Sequence, residues 1–287
     1  MDGPLRPPTE TAPERPERIG PWLLEDEIGS GGGSVVYAAS RSTQTGPIRA
    51  ALKLARRLSA HSQSLFDAEA QILRRVSPPA VAGLLDAGHH RDGRPYLALE
   101  VVEGMPVTEH ARPLSLRDRL ALASRACHAV AALHDAGIVH ADLKPDHLVV
   151  RERGAVTVLD LGLARAPGLG SGLGLEADRP AITPEFAAPE QVLGHPVGFH
   201  TDVYALGLIV SEVLTGRPAR VPWVLGGTEN VLDLPASLAE GASSAPWASV
   251  DWRVVTALRA SVHADPERRF RTAGDLARAL HDATDGA

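Results

Sequence analysis

The sequence predicts an α+β chain of two lobes, a small β-rich one with one main helix followed by a larger, mostly helical one. Three observations carry this. Up to about Val102, apolar residues come in short runs broken by Gly, Asp and Pro, the pattern of strands and hairpins. After Glu103-Gly104 they recur at helical spacing over long stretches such as LRDRLALASRACHAVAALHDA. The chain has 287 residues, 44% of them apolar, which suffices for a substantial core in one large domain or a tightly joined pair.

Residues 1–20, MDGPLRPPTETAPERPERIG, are dense in Pro and charge and nearly devoid of apolar side chains, so a disordered tail is expected. Residues 21–102 make the first lobe. LLEDEIGSGGGSVVYAAS sets two apolar runs around a glycine turn, a hairpin signal, and IRAALKLA adds a strand ending near Lys53. One helix is expected from about Ser62 to Val76, closed by Ser77-Pro78-Pro79. VAGLLDAG and RPYLALEVV are two more strands, flanking the turn HHRDG.

Residues 103–283 make the second lobe. Ser115 caps a long helix that Gly137 stops. HLVV, RERG and AVTVL read as a hairpin. TDVYALGLIVSEVLTG is a buried helix ending at Gly216. WRVVTALRASV and TAGDLARALHDA are amphipathic, the second opened by the capping pair Thr272 and Asp275. Residues 217–250 show no periodicity that assigns them.

Lys and Arg number 29 against 35 Asp and Glu, a net charge of −6 that gives no electrostatic reason to expect nucleic acid or an anionic membrane as partner. The longest apolar run, VYALGLIVSEVL (203–214), is too short to span a bilayer, and the N-terminus has no signal-like stretch, so no membrane insertion is expected. The single Cys127 has no partner for an intrachain disulfide, which fits a reducing cytoplasm. It sits in the helical run RACHAVAAL, the setting of a buried thiol. Nothing in the sequence sets an oligomeric state.

The chemistry-bearing residues are spread along both lobes. IGSGGGSVVY (28–37) places Gly29, Gly31, Gly32 and Gly33 in a turn where missing side chains let backbone N–H groups approach phosphate. Alone it serves equally well as a flexible hairpin turn. It leads into a strand, not a helix, which disfavours a dinucleotide-binding turn, and its spacing excludes Gly-x-x-x-x-Gly-Lys-Ser/Thr. Lys53 ends an apolar strand, and Glu69 lies near the buried stripe of its helix, where an acid needs a cationic partner. Asp142 precedes, and Asp160 ends, a hairpin that brings position 147 beside Asp160. Two carboxylates converging near a phosphate cradle suit metal binding and activation of a hydroxyl. Lys144 adds a cation for a transferred phosphate.

The ordered set formed by the glycine turn, Lys53, Glu69, HADLKP (140–145), DLG (160–162) and APE (188–190) resembles the eukaryote-like serine/threonine protein kinases of bacteria. TPEFAAPEQ (183–191), TDVYALG (201–207) and DPERRF (265–270) match further motifs of that family, so the resemblance covers roughly 21–283. It implies the two-lobed protein-kinase fold and ATP-dependent phosphate transfer to protein Ser/Thr hydroxyls, with Mg²⁺ as metal. Lys53, paired with Glu69, would hold the α- and β-phosphates. Asp142 would orient the substrate hydroxyl, Lys144 would neutralise the γ-phosphate, and Thr183 would mark Ser/Thr specificity. Asp160 would bind the metal, Glu190 would pair with Arg269, and Asp202 would brace the catalytic loop. Ile28, Gly29, Ser30, Gly31, Gly32 and Gly33 would cover the nucleotide. Val36, Ala51 and Val149 would sandwich the adenine, Leu99 would line the back of its pocket, and Glu100 and Val102 would offer it backbone hydrogen bonds.

The sequence departs from the family pattern at two telling places. Ala141 stands where an Arg usually reads a phosphorylated activation segment, and residues 164–182 contain one hydroxyl, Ser171. Activity independent of phosphorylation there is therefore expected. His147 stands where the metal-binding Asn is usual. An imidazole nitrogen is a poorer ligand for Mg²⁺ than for Mn²⁺. The alternative reading is a pseudokinase, a nucleotide-responsive binding module without phosphate transfer.

Overall fold

The computed structural model describes residues 17–31, 33–166, 183–217, 247 and 249–285. The glycine at position 32, residue 171 and most of 217–250 lie outside them.

The first lobe is built on β1 (Arg18–Ile19), β2 (Trp22–Ser30), β3 (Ser34–Thr43), β4 (Gly46–Ala55), β5 (Leu84–His89) and β6 (Pro95–Glu100), in the spatial order β1-β2-β3-β4-β6-β5. Each pairing is antiparallel, the geometry short connections permit. Alternate residues of these strands meet in a core of Trp22, Tyr37, Leu52, Leu54 and Tyr96. The expected tail does not reach residue 20. Ile19 is fully buried and pairs with Trp22, so a two-residue strand too short to show any alternation already belongs to the sheet.

Helix α1 (Ala60–Leu73) crosses the sheet, starting earlier and ending earlier than its apolar spacing suggests. Ser59 sets the start. Its hydroxyl accepts the Ser62 N–H at 3.0 Å, and the Ser62 hydroxyl accepts the Ser59 N–H at 3.0 Å. The usual reciprocal cap has Glu or Gln at the far position, so a Ser-x-x-Ser version gives little warning.

The second lobe adds β7 (Gly104–Pro106), β8 (Leu148–Arg151) and β9 (Val156–Val158) as a small sheet, with helices α2 (Val107–Ala111), α3 (Leu116–Asp135), α4 (Pro189–Leu193), α5 (Phe199–Thr215), α6 (Trp252–Ser261) and α7 (Ala273–Asp285). β7 and α2 are too short for periodicity to reveal. Helix α3 starts at Ser115, which accepts the Asp118 N–H, and stops where Gly137 turns left-handed at φ 75°. Helix α5, apolar all round, runs through the middle of the lobe with Val203 to Val210 all buried, packed by α3, α6 and α7. Thr272 and Asp275 exchange backbone N–H bonds ahead of α7, as their spacing predicts. Among the described residues no helix is long and apolar enough to cross a membrane. The Cys127 thiol is free and fully buried in α3, and burial pushes its pKa up to about 12, as expected of a packing residue.

Candidate active site

Lys53 projects from β4 toward α1. Its Nζ donates to both Glu69 oxygens at 2.9 Å and to Asp160 Oδ1 at 3.0 Å. Burial alone would lower the Lys53 pKa, but the two carboxylates more than offset it and hold the ammonium charged. Asp160 stands well below the usual carboxylate range, because Lys53 outweighs the desolvation of its place in the cleft. Glu69 is the deepest of the three; burial pushes its carboxyl up while Lys53 pulls against it. Three elements far apart in sequence thus meet on one nitrogen. Gly162 makes the approach possible, since a Cβ there would lie 3.0 Å from Lys53 Nζ and 3.2 Å from Asp160 Oδ1.

The segment from His140 to His147 is held from below by Asp202 at the start of α5. Asp202 Oδ2 accepts the His140 N–H at 2.7 Å and the His134 Nε2–H at 3.0 Å, and Oδ1 accepts the Ala141 N–H at 2.8 Å. These bonds support a left-handed backbone at Ala141, φ 65°, which is costly for a residue other than glycine. Among the described residues Asp160 is the other with such a backbone, at φ 56°. Asp142 emerges from this frame with Oδ1 taken by Thr183, whose backbone N–H donates at 3.2 Å and whose hydroxyl donates at 3.1 Å. Lys144 follows, half-buried, just ahead of a 3₁₀ turn at Pro145–His147.

His147 is buried, and its Nδ1 lies 2.8 Å from the Asp142 backbone carbonyl. A carbonyl only accepts, so Nδ1 carries the proton and Nε2 bears the lone pair. That bare nitrogen faces Asp160 Oδ2 at 3.7 Å. Burial, with His140 beside it, holds the His147 pKa below the ordinary imidazole value, so the ring is neutral at pH 7. The hairpin β8–β9, with Leu148 opposite Val158, delivers position 147 to Asp160 as its length predicts.

The remaining expected residues lie on the strands of the first lobe, on the link after β6 and on β8. Ile28, Gly29 and Ser30 end β2, Gly31 follows it and Gly33 precedes β3. A Cβ at Gly31 or Gly33 would meet no described atom within 4 Å, so the chain's own packing does not demand glycine there. A backbone that must be approached by a ligand does. Ala51 lies between Ala38 and Leu99 across the sheet, Val36 stands opposite Lys53, and Val149 enters from β8. Val102 follows β6 in the link between the lobes. Glu100 already gives its N–H to the Gly83 carbonyl at 2.8 Å, so what its backbone has left for a ligand is its carbonyl.

Below the site, Arg269 and Glu190 form a buried two-pronged pair at 2.8 and 2.9 Å. Sequence reasoning missed several supporting groups. Gln191 donates to the Ala141 carbonyl at 2.6 Å and accepts the Ala188 N–H, His134 anchors Asp202, and Arg56 Nε donates to the Gly31 carbonyl at 2.9 Å. None has a local pattern beyond its neighbourhood to the motifs.

Comparison with known proteins shows the family and the fold. A family model of the protein kinase domain matches residues 22–273. A probable serine/threonine-protein kinase of Corynebacterium efficiens is 31% identical over 271 residues, covering 89% of this chain and 40% of that protein. The serine/threonine-protein kinase PknB of Mycobacterium tuberculosis is 30% identical over 226 residues, 74% of this chain and 34% of that protein. The chain therefore spans well under half the length of these relatives. The crystal structure of the Mycobacterium tuberculosis PknI kinase domain shares the fold at a TM-score of 0.66 and 20% identity, covering 93% of this chain and 97% of that one.

Proposed function

The chain belongs to the protein kinase domain family, and on that premise we propose that it transfers the γ-phosphate of ATP to serine and threonine hydroxyls of a protein. The observation that carries this is the convergence of Glu69 and Asp160 on Lys53, with the His147 ring joining Asp160 to the backbone of Asp142. Glu69 holds the Lys53 ammonium where the α- and β-phosphates would lie. Thr183 occupies Asp142 Oδ1, which leaves Oδ2 to accept the hydrogen bond of a substrate hydroxyl and turn its lone pair toward the phosphate. Lys144, two residues on, offsets the charge of the group in flight. Catalysis is then mostly positioning and charge neutralisation. The same features leave the pseudokinase alternative without one of its own among the described residues. A cytoplasmic setting belongs to the same reading, supported by the free, buried thiol of Cys127.

The donor set fits a divalent ion. Asp160 offers a hard carboxylate oxygen, and His147 offers a neutral nitrogen whose orientation the Asp142 carbonyl fixes. No cluster of three or more His, Cys, Asp or Glu ligands forms among the described residues, so phosphate oxygens and water would complete the shell. When bound, the ion neutralises phosphate charge. The imidazole ligand favours Mn²⁺ over Mg²⁺. Transfer from labelled ATP to a basic protein, assayed in each metal, is expected to be faster with Mn²⁺. His147→Asn is expected to shift that ratio toward Mg²⁺, and metal titration of nucleotide affinity should move with it. An unchanged ratio in both readouts contradicts His147 as a ligand.

Activity is also expected without activation-segment phosphorylation. Ala141 carries no cation, and both its backbone groups are spent, the N–H on Asp202 and the carbonyl on Gln191. Phosphatase-treated protein should transfer phosphate at a rate within about tenfold of protein preincubated with ATP. A larger gain on preincubation, tracking phosphate incorporated between 164 and 182, would overturn this.

A further inference from the structure

Glu100 and Arg151 form a clasp behind the link between the lobes. Arg151 Nη1 donates to Glu100 Oε1 at 2.6 Å and Nη2 donates to Oε2 at 3.1 Å, a two-pronged pair between the end of β6 and the end of β8. The Gly83 N–H adds a third bond to the carboxylate at 3.2 Å. On the other side, Arg151 Nε donates to the Thr157 hydroxyl at 2.7 Å, and that hydroxyl donates to the Pro79 carbonyl at 2.8 Å. Thr157 is fully buried, and the Val158 N–H continues the stitching onto the Ala80 carbonyl at 2.8 Å. Residues 79–83 and Glu100 belong to the first lobe, whereas Arg151 and Thr157 belong to the second. Both Nη atoms of the guanidinium therefore tie one lobe to the other directly, and Nε does so through the Thr157 hydroxyl.

The clasp adjoins the adenine pocket. Arg151 is two residues beyond Val149 on β8 and so shares its face, and Thr157 is the cross-strand partner of Val149. Glu100 carries the carbonyl left for the adenine edge. With 34% of its side chain exposed, against 22% for Arg151, the pair is only partly desolvated. Simple ion pairs of that exposure contribute little to global stability. Its two-pronged geometry instead restricts direction.

We propose that Arg151 is a positioning residue for nucleotide binding: by holding Glu100, it fixes the angle at which the first lobe's adenine-reading edge meets the second lobe's Val149. This rests on the ATP-binding reading above. A released hinge samples open angles, and apparent affinity falls by the fraction of time spent in the competent one. Arg151→Ala is thus expected to raise the dissociation constant for ADP and the KM for ATP about fivefold, with kcat changed less than about twofold. Thr157→Val, nearly isosteric, should shift the same two constants in the same direction by a smaller factor. The exchange Glu100→Arg with Arg151→Glu should recover affinity relative to Arg151→Ala.

The measurement is ADP binding by calorimetry alongside steady-state kinetics and thermal unfolding of each variant. A raised dissociation constant with kcat retained, and recovery in the exchanged pair, supports the clasp. Arg151→Ala binding ADP as wild type does, or losing kcat and KM together in step with melting temperature, overturns it. Should Arg151→Ala not fold, Arg151→Lys, which keeps the charge and gives up the fork, is judged by the same criteria. Wild-type protein that binds no ADP would contradict the nucleotide reading itself, independently of the clasp.

Discussion

Asp142→Asn is expected to lower phosphate transfer about a thousandfold while leaving ATP affinity within about twofold of wild type. The carboxylate makes two separable sets of contacts. Oδ1 accepts from the Thr183 N–H and hydroxyl, and an amide oxygen can take over that role. The other position would present an NH₂ donor to the substrate hydroxyl, which needs an acceptor. The variant thus keeps its shape and loses only the orientation of the nucleophile. Single-turnover transfer and equilibrium nucleotide binding, run on the same preparation, check both halves. A loss of ATP affinity in step with the rate would mean that Asp142 holds the loop rather than the hydroxyl.

The second large effect is on stability. Arg269→Met should destabilise the fold by about 3–5 kcal/mol, because it leaves a buried carboxylate without its cation. The Arg269 side chain is fully buried, and among the described residues Glu190 would keep its own backbone N–H, the Thr201 hydroxyl at 2.9 Å and a distant His200 at 3.7 Å. Three backbone carbonyls, of His200, His263 and Ala264, lose their donor as well. Burial alone would raise the Glu190 pKa and Arg269 holds it below the usual carboxylate range, so removing the guanidinium leaves the carboxyl either charged in a buried site or forced to take up a proton, and both cost stability at pH 7. Chemical denaturation measures the loss. The double variant Glu190→Leu/Arg269→Met should lose less than Arg269→Met alone, since no buried charge remains. Equal losses in the two would show that the carbonyls, not the carboxylate, carry the cost.

The parts of the site legible in the sequence are those whose spacing is dictated by short regular elements. The four residues of β8, the turn and the three of β9 leave little freedom in where His147 lands relative to Asp160. Lys53 and Glu69 are readable because a charged residue on an apolar stripe needs a partner. Less legible are groups whose role depends on a single distant atom. The His147 tautomer is set by the Asp142 carbonyl, and Arg151 reaches a glutamate 51 positions away. The left-handed turn at Ala141 has no sequence signal, since glycine would be the usual marker. The fold shows the same division. Helices α3, α5 and α7 announce themselves by period and cap, whereas β1, β7 and α2 are shorter than the window in which any period can be read.

The most direct test of the account is phosphoamino-acid analysis of a protein substrate incubated with γ-labelled ATP and Mn²⁺, comparing wild type with Asp142→Asn. Labelled phosphoserine or phosphothreonine is expected from the wild type and almost none from the variant. Absence of label from the wild type in both Mn²⁺ and Mg²⁺, with nucleotide bound, would contradict it.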